Sequence, residues 1–157
     1  YELADALAYA NVKSRLRMIA LYQVASLNAG LVVGTGNKVE DFGIGFFTKY
    51  GDGGVDISPI ADLLKSEVRQ MCRELGVLPE LSEAVPTDGL WADARTDEGA
   101  IGASYDELEW AMKYVAEKFD PDTRVTARQQ EVLNIYMKRH LASYHKMHPI
   151  PTFTRNI

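Results

Sequence analysis

Cysteine is nearly absent from this sequence. The single cysteine among 157 residues, Cys72, excludes an internal disulfide and a four-cysteine zinc site. Long apolar runs are also missing, since no stretch approaches the roughly 20 residues that a membrane-spanning helix needs. Basic residues are too few for a general grip on nucleic acid, because 17 lysines and arginines stand against 22 aspartates and glutamates. We therefore expect a cytoplasmic protein that binds neither nucleic acid nor membrane.

The beginning of the chain has no initiator methionine, and "YELADALAYANVKSR" lacks the layout of a signal peptide. We expect these residues to come from the interior of a longer protein. A content of 46% hydrophobic and 25% charged residues is that of an ordinary globular protein, and 157 residues are enough for one core. The sequence therefore predicts a single domain over residues 1–157.

Apolar residues lie on more than one face of segment 12–29, "VKSRLRMIALYQVASLNA", and Gly30 follows it as a helix stop. We predict a helix that is covered on two sides, by a sheet and by the partner subunit of a homodimer. The next residues, "GLVVGT" at 30–35, have the pattern of a short, fully buried strand. A helix, a buried strand and a glycine turn in this order favour an α/β fold with a parallel sheet, in which ligands bind beyond the carboxyl ends of the strands.

Three further helices are marked by their ends. Ser58 is the predicted cap of the first, Gly76 ends it, and the helical spacing of Cys72 predicts a core position. The two later helices run to about residues 117 and 144 and carry capping boxes: Ser104 with Glu107, and Thr126 with Gln129. The connection at 78–104 is long for a compact domain, which is typical of a functional or mobile segment.

Residues 34–56, "GTGNKVEDFGIGFFTKYGDGGVD", combine glycines, charges and aromatic rings. A Walker loop is excluded because no Gly-Lys dipeptide occurs, and a dinucleotide fingerprint because Val39 replaces its third glycine. "DGGVDISPIADL" lacks two ligands of an EF-hand loop. The segment is therefore either a solvated turn region or a site for a flat, charged ligand such as a nucleotide, with Phe46, Phe47 and Tyr50 as pocket walls or as core.

A series of motifs resembles, in order, the C-terminal portion of the ammonia-dependent NAD synthetase family: "NVKSRLRMIALY", "GLVVGTGNKVE", "GFFTKYGDGGVD", "PIADLLKSEVR", "VPTDGLW", "TDEGAIGASYDEL" and "YHKMHPIP". The resemblance covers residues 11–151. It implies a Rossmann-like parallel sheet of the adenine nucleotide alpha-hydrolase type, with a helix-rich C-terminal portion. The family's Ser-Gly-Gly-x-Asp-Ser pyrophosphate loop does not occur in this sequence.

The resemblance also implies a reaction. In this family ATP adenylates the nicotinate carboxylate of deamido-NAD, pyrophosphate leaves, and ammonia displaces AMP to give NAD. Because a carboxylate must approach a polyanionic phosphate, such a site needs Mg²⁺ and cations at the oxygens that gain charge.

Site residues follow from the same resemblance. Glu40 is expected to bind magnesium, Thr35 to contact ATP, and Lys65 and Thr87 to contact ATP and support catalysis, with Thr87 also near the metal. The residues expected to bind deamido-NAD are Arg15, Lys49, Asp56, His145 and Lys146. Without the family, a solvated glutamate at position 40 and surface cations at positions 15 and 65 remain the alternatives.

Other polar residues receive weaker expectations. Asn11 is expected near the nicotinate half of the substrate, Asp41 in solvent, and His140 and His148 on the surface. Two functions besides the complete ligase stay open: a non-catalytic, dimerising, substrate-binding fragment, and an unrelated α/β nucleotide-binding module. The source of the ammonia is open too. Because the pyrophosphate loop is missing, we expect residues 1–157 by themselves to be inactive.

Overall fold

A computed structural model describes residues 2–93, 95–117 and 124–155, and helices dominate them. The helices are α1 (Glu2–Leu27), α2 (Lys65–Glu74), α3 (Pro79–Ser82), α4 (Asp97–Ile101), α5 (Tyr105–Ala116) and α6 (Ala127–Met147). A π-helical turn (Val39–Ile44) follows α1. No helix within the described ranges is both long enough and apolar enough to cross a membrane.

Helix α1 begins at Glu2, which is earlier than the predicted residue 12, and ends at Leu27. Ala10 and Ser14 are buried. Other apolar side chains of α1 remain more than half exposed, namely Leu7, Tyr9, Leu16, Ile19, Leu21, Val24 and Leu27. Apolar side chains therefore lie on more than one face of α1, as the sequence indicated. The described residues leave many of these side chains uncovered.

The predicted buried strand at 30–35 is not a strand in this structure. Val33 forms one isolated parallel bridge with Ile57, and among the described residues no longer ladder extends it. Val32 is buried, whereas Leu31 and Val33 are 64% and 53% exposed. An apolar strand of this kind is normally covered by packed elements on both faces of its sheet, and the described residues do not provide that cover. The parallel direction was predicted correctly, but the sheet itself is not seen.

Helix α2 starts later than the sequence suggested. Ser58 was expected to cap it, but residues 59–63 form turns and the helix begins at Lys65. Two features account for the delay: Leu64 is extended, and the Leu63 carbonyl accepts the Lys38 N–H at 2.8 Å. Gly76 follows the helix at φ 70°, as a C-terminal glycine should. Cys72 is only partly buried, so its predicted core position was wrong.

The core forms where α5 and α6 pack on the π-helical turn. Both predicted capping boxes are confirmed, with Ser104 and Thr126 accepting the backbone N–H groups of Glu107 and Gln129. Buried apolar residues of this core include Val39, Ile44, Tyr105, Leu108, Val132, Leu133 and Tyr136. The connection at 78–104 contains α3 and α4, and Ile101 of α4 joins the same core.

An ion pair reinforces the start of α5. Arg128 donates to both carboxylate oxygens of Glu107, at 2.7 and 2.8 Å, while Glu107 accepts the Ser104 N–H at 2.9 Å. The Arg128 hydrogen bonds, followed by the Ser104 N–H, lower the pKa of Glu107 from 4.5 to about 2. Because the folded pKa lies below the unfolded value, this interaction stabilises the fold above about pH 4.5 and is lost as the pH falls toward 2.

We predict that Glu107→Gln flattens the acid limb of the stability curve. The free energy of unfolding of the wild type should fall more steeply than that of the variant between about pH 4.5 and 2. Urea titrations at several pH values measure this difference. Glu131→Gln is the matched control, because Glu131 also pairs with Arg128 at 2.8 Å but caps no helix. Parallel pH profiles for wild type and Glu107→Gln would contradict the prediction.

Candidate functional site

Glu40 is held by two side chains from distant parts of the chain. Its Oε1 atom accepts hydrogen bonds from Lys65 Nζ at 3.0 Å and from the Tyr105 hydroxyl at 2.5 Å. Asn37 precedes the π-helical turn that carries Glu40, and its Oδ1 atom accepts the N–H groups of Val39 and Glu40, each at 3.1 Å. The turn, α2 and α5 thus converge on one carboxylate.

Asp97 of α4 completes what we call the Glu40 cluster (Glu40, Lys65, Asp97 and Tyr105). Its Oδ2 atom lies 3.4 Å from the Tyr105 hydroxyl. Burial, and then the Glu40 charge, raise the pKa of Asp97. The same two causes raise the pKa of Tyr105 well above its ordinary value, so the hydroxyl keeps its proton. Of these residues, the sequence predicted only Glu40 and Lys65. Asp97 and Tyr105 lie in the motif "TDEGAIGASYDEL", which was the available signal.

Thr87 lies on an exposed loop beside this cluster. Its hydroxyl donates to the Arg95 carbonyl at 3.1 Å and accepts the Gly89 N–H at 3.3 Å. The preceding carbonyl, of Pro86, accepts the Asp97 N–H at 3.0 Å. Thr87 is therefore one residue away from a direct backbone link to the Glu40 cluster.

The glycine loop, residues 45–54, is fastened to α1 through Asp52. Asp52 Oδ1 accepts the Ser14 hydroxyl at 2.8 Å and the Thr48 N–H at 2.9 Å, and Ser14 Oγ accepts the Asp52 N–H at 3.0 Å. Asn11 Oδ1 accepts the Thr48 hydroxyl at 2.7 Å. Gly51 is needed here, because a Cβ at that position would lie 2.2 Å from Ser14 Oγ.

Four of the residues predicted to bind deamido-NAD gather around this loop. Arg15 Nε donates to the Lys49 carbonyl at 3.3 Å, and Lys49 Nζ donates to the His145 carbonyl at 2.7 Å. Lys146 Nζ donates to the carbonyls of Gly45 and Phe47, the latter at 2.6 Å. Burial lowers the pKa of Lys146. The loop is thus held by α1 on one side and by the end of α6 on the other.

The remaining predicted residues, Asp56 and Thr35, are linked by hydrogen bonds neither to the Glu40 cluster nor to the cations beside the glycine loop, within the described residues. Asp56 accepts the Tyr22 hydroxyl at 3.1 Å and the Val32 N–H at 2.8 Å. Thr35 is exposed and faces a cleft of about 760 Å³ between α1, the glycine loop and α6, to which Lys146 also contributes. Across the described ranges, no hydrogen bond links Asp56, Thr35 or Thr87 to the Glu40 cluster or to the cations beside the loop.

Two predictions about polar residues were wrong. Asp41 is partly buried instead of solvated, and burial, followed by the Glu40 charge, raises its pKa to about 6. His140 is also partly buried: its Nδ1 atom lies 2.7 Å from the Gly43 carbonyl, and its ring stacks on Tyr136. Both lie where α6 packs on the π-helical turn, a contact that sequence spacing does not reveal. His148 is exposed, as predicted.

The aromatic residues of the loop differ in environment. Phe46 packs against the core and Tyr50 is 53% exposed. The Lys146 ammonium lies 4.8 Å from the Phe47 ring centre, and both Phe46 and Phe47 line the cleft. Tyr50 has φ 63°, a left-handed conformation that is uncommon for a bulky residue. Phe46 therefore serves as both core and cleft wall, and Phe47 as cleft wall.

We predict that Asp52→Ala loosens the glycine loop. The Thr48 amide would lose a hydrogen bond to a charged acceptor, so its hydrogen exchange should accelerate by roughly tenfold to a hundredfold, with the helices of the core unaffected. Exchange measured by NMR or by mass spectrometry of loop peptides gives the result. Asp62→Ala is the matched control, because the Asp62 side chain is 94% exposed and pairs with Lys38 at the surface. Equal protection of Thr48 in both variants would argue against the Asp52 anchor.

Comparisons with known proteins bear on this arrangement. The family model described as NAD synthase matches residues 2–149. The NH(3)-dependent NAD(+) synthetase of Methanosarcina mazei is 38% identical over 154 residues, which is 96% of this chain and 59% of that protein. That of Mesoplasma florum is 50% identical over 103 residues, covering 66% of this chain and 41% of that protein.

Solved structures resemble the fold. The NMN synthetase of Francisella tularensis matches with a TM-score of 0.76 and 33% identity, over 97% of this chain and 58% of that one. The NH3-dependent NAD synthetase of Campylobacter jejuni, solved with nitrate, has a TM-score of 0.67 and 24% identity over 92% and 54% of the two chains, which supports the fold alone. The chain spans about half the length of the relatives it matches. Over nearly all of its own length it belongs to the NAD synthase family.

Proposed function

We propose that this chain contributes to an ATP-dependent ligase that amidates deamido-NAD with ammonia, giving NAD, AMP and pyrophosphate. The observation that carries the proposal is the contact between Glu40 and Lys65, which brings an acid and a cation to 3.0 Å within a chain of the NAD synthase family. Both side chains are largely buried, at 14% and 23% exposure. Burying such a pair is costly, so a role beyond stability is the simpler explanation for it.

The donor set around Glu40 fits Mg²⁺ coordinated with the help of a nucleotide. No group of three or more His, Cys, Asp or Glu side chains suited to a metal occurs among the residues the structure covers. Magnesium usually takes one or two protein carboxylates and completes its shell with substrate phosphates and water. Glu40 would supply one oxygen, and Thr87 a hydroxyl nearby. The ion would neutralise charge that develops on the phosphate oxygens.

The protein's own groups would act by position and charge. An oxygen of the nicotinate carboxylate attacks the α-phosphorus of ATP, the bond to pyrophosphate breaks, and ammonia then attacks the acyl carbon so that AMP leaves. Lys65, at the first turn of α2, would contact a phosphate oxygen that gains charge. Thr35 and Thr87 would hold ATP through their hydroxyls, and both are exposed to an incoming ligand.

Deamido-NAD would bind beside the glycine loop. Arg15, Lys49 and His145 form one contiguous strip across α1, the loop and α6. Asp56 follows the loop in the chain and accepts hydrogen bonds from the Tyr22 hydroxyl and the Val32 N–H. Lys146 would support the substrate mainly by fixing the loop, since its ammonium is engaged by two carbonyls.

A second substrate deserves a direct test because the Francisella tularensis protein, 33% identical over 97% of this chain, is an NMN synthetase. Its product differs from NAD by the adenylate half. The test measures kcat/KM of the natural protein that contains this chain. One series of assays uses nicotinate mononucleotide as substrate and a parallel series uses deamido-NAD. We expect deamido-NAD to be preferred, in line with the NH(3)-dependent NAD(+) synthetase relatives. If nicotinate mononucleotide were preferred, the proposed substrate would be wrong, whereas the proposed amide-forming reaction would stand.

In the natural protein that contains this chain, we predict that Glu40→Gln abolishes adenylation and leaves binding of deamido-NAD nearly intact. The change keeps the shape of the side chain and removes the charge that binds magnesium, so AMP release should fall by about a hundredfold or more. Calorimetric titration of deamido-NAD should give a nearly unchanged affinity. Asp62→Asn, at an exposed carboxylate on the surface, is the control. Turnover by Glu40→Gln within about tenfold of the wild type would show that Glu40 does not bind the metal.

We also infer that α1 lies in a homodimer interface, because many of its apolar side chains are exposed in the single chain. Leu21→Glu should convert a dimer to a monomer by light scattering while the circular dichroism stays helical. Leu75→Glu is the control, since Leu75 is exposed to 74% at the end of α2, outside α1. A monomeric wild type, or a dimer that survives Leu21→Glu, would refute the interface.

A further inference from the structure

Tyr105 occupies a position that packing alone does not explain. It is the first residue of α5, its side chain is 1% exposed, and its backbone N–H donates to Glu98 Oε1 at 2.9 Å. The ring belongs to the core formed with α6 and the π-helical turn. Only the hydroxyl leaves this apolar surrounding, and it points into the Glu40 cluster. A phenylalanine would pack the same core, so the hydroxyl needs a separate reason.

That hydroxyl has one proton and two carboxylates within reach. Glu40 Oε1 lies at 2.5 Å and Asp97 Oδ2 at 3.4 Å, so the proton is donated to Glu40 and the contact with Asp97 is weak. Lys65 Nζ donates to the same Glu40 oxygen and lies 4.8 Å from the Tyr105 ring centre. Two donors therefore converge on Oε1. Within the described part of the chain, no hydrogen bond reaches the other oxygen, Oε2.

We propose that Tyr105 is a positioning residue, whose hydroxyl anchors Oε1 of Glu40 so that Oε2 faces outward as the magnesium ligand. This inference rests on the proposed function. Carboxylate ligands of metals are commonly held by outer hydrogen bonds, and losing such a partner typically costs about 10–100-fold in metal affinity. Lys65 alone cannot replace this anchor, because it sits on a flexible stem and is the group expected to follow the phosphates.

The hydroxyl also separates two like charges. With Tyr105 protonated, its O–H lies between the carboxylates of Glu40 and Asp97. Removing the proton donor would leave Glu40 and Asp97 without a shared polar neighbour, and their repulsion would favour Glu40 orientations that turn away from Asp97. The expected consequence is a less defined carboxylate, which lowers metal affinity even where the fold is intact.

The test compares Tyr105→Phe with Tyr136→Phe in the natural protein that contains this chain. Tyr136 is the matched control because it is 3% exposed in the same core, and among the described residues no hydrogen bond links it to the Glu40 cluster. Mn²⁺ serves as the probe, with binding followed by electron paramagnetic resonance of the free ion in the presence of a non-hydrolysable ATP analogue. Circular dichroism and the melting temperature report folding for each variant.

We expect Tyr105→Phe to raise the apparent Kd for Mn²⁺ by about tenfold or more, with Tyr136→Phe unchanged. A purely structural role would lower the melting temperature and leave the Mn²⁺ affinity of the folded protein at its wild-type value, which would overturn the inference. The double variant Glu40→Gln/Tyr105→Phe supplies a second check. If Tyr105 acts through Glu40, the second change adds no further loss of affinity, whereas additive losses overturn the inference.

The outcomes also separate this inference from the function on which it rests. If Glu40→Gln binds Mn²⁺ as the wild type does, the metal role of Glu40 fails, and the inference fails with it. If Glu40→Gln loses Mn²⁺ and Tyr105→Phe retains it, only the positioning role is wrong. Loss in both single variants without further loss in the double variant supports the two together.

Discussion

A carboxylate removed from water needs partners, and the way Glu40 obtains them organises the region where the π-helical turn, α2 and α5 meet. The π-helical turn brings Glu40 to the start of α2 and to the start of α5, where Lys65 and Tyr105 reach the same oxygen. An unpaired buried charge would cost several kcal/mol, which is comparable to the whole stability of a domain. Convergence of the elements that carry these three residues therefore stabilises the Glu40 charge.

The glycine loop depends on its surroundings for its shape. It has no ladder of its own, and its fixed points come from Asp52 toward α1 and from Lys146 toward α6. Gly45 at φ 60° lets the backbone pass beside Ser143, where a Cβ would come within 2.3 Å of the Ser143 Cβ. A loop built in this way keeps its outer surface available for a ligand while its inner surface is specified by hydrogen bonds.

What the sequence could predict was local. Ser104 and Thr126 cap their helices because the capping box needs only residues three apart, so its geometry is contained in the sequence. The start of α2 was misplaced because a long-range contact, from Lys38 to the carbonyl of Leu63, competes with the local signal. The strand at 30–35 was predicted from apolar character, but strands need neighbours, and the described residues pair it only at Val33.

The candidate site also combines residues that the sequence predicted with contacts that only the fold shows. The motifs "GFFTKYGDGGVD" and "YHKMHPIP" singled out Lys49, His145 and Lys146, which the structure brings together around the loop. Glu40 and Lys65 were predicted individually, and only the fold shows that they form a pair. Asp97 and Tyr105 carried no separate signal, since a tyrosine at apolar spacing looks like core and an aspartate at a helix start looks like a cap. Their meaning appears only when α4, α5 and the π-helical turn meet.

The cations of the site differ in how much charge they can offer a substrate. Lys65 is paired with a carboxylate, so its charge is largely compensated until a phosphate competes for it. Arg15, Lys49 and Lys146 bind backbone carbonyls, and none of them forms a salt bridge within the described residues. A carbonyl fixes a cation without neutralising it. In a chain of net charge −5, cations that bind carbonyls offer a polyanionic substrate local positive charge, and Arg15 and Lys49 supply such charge beside the glycine loop. The charges of Asp41 and Asp52 partly offset that of Lys146.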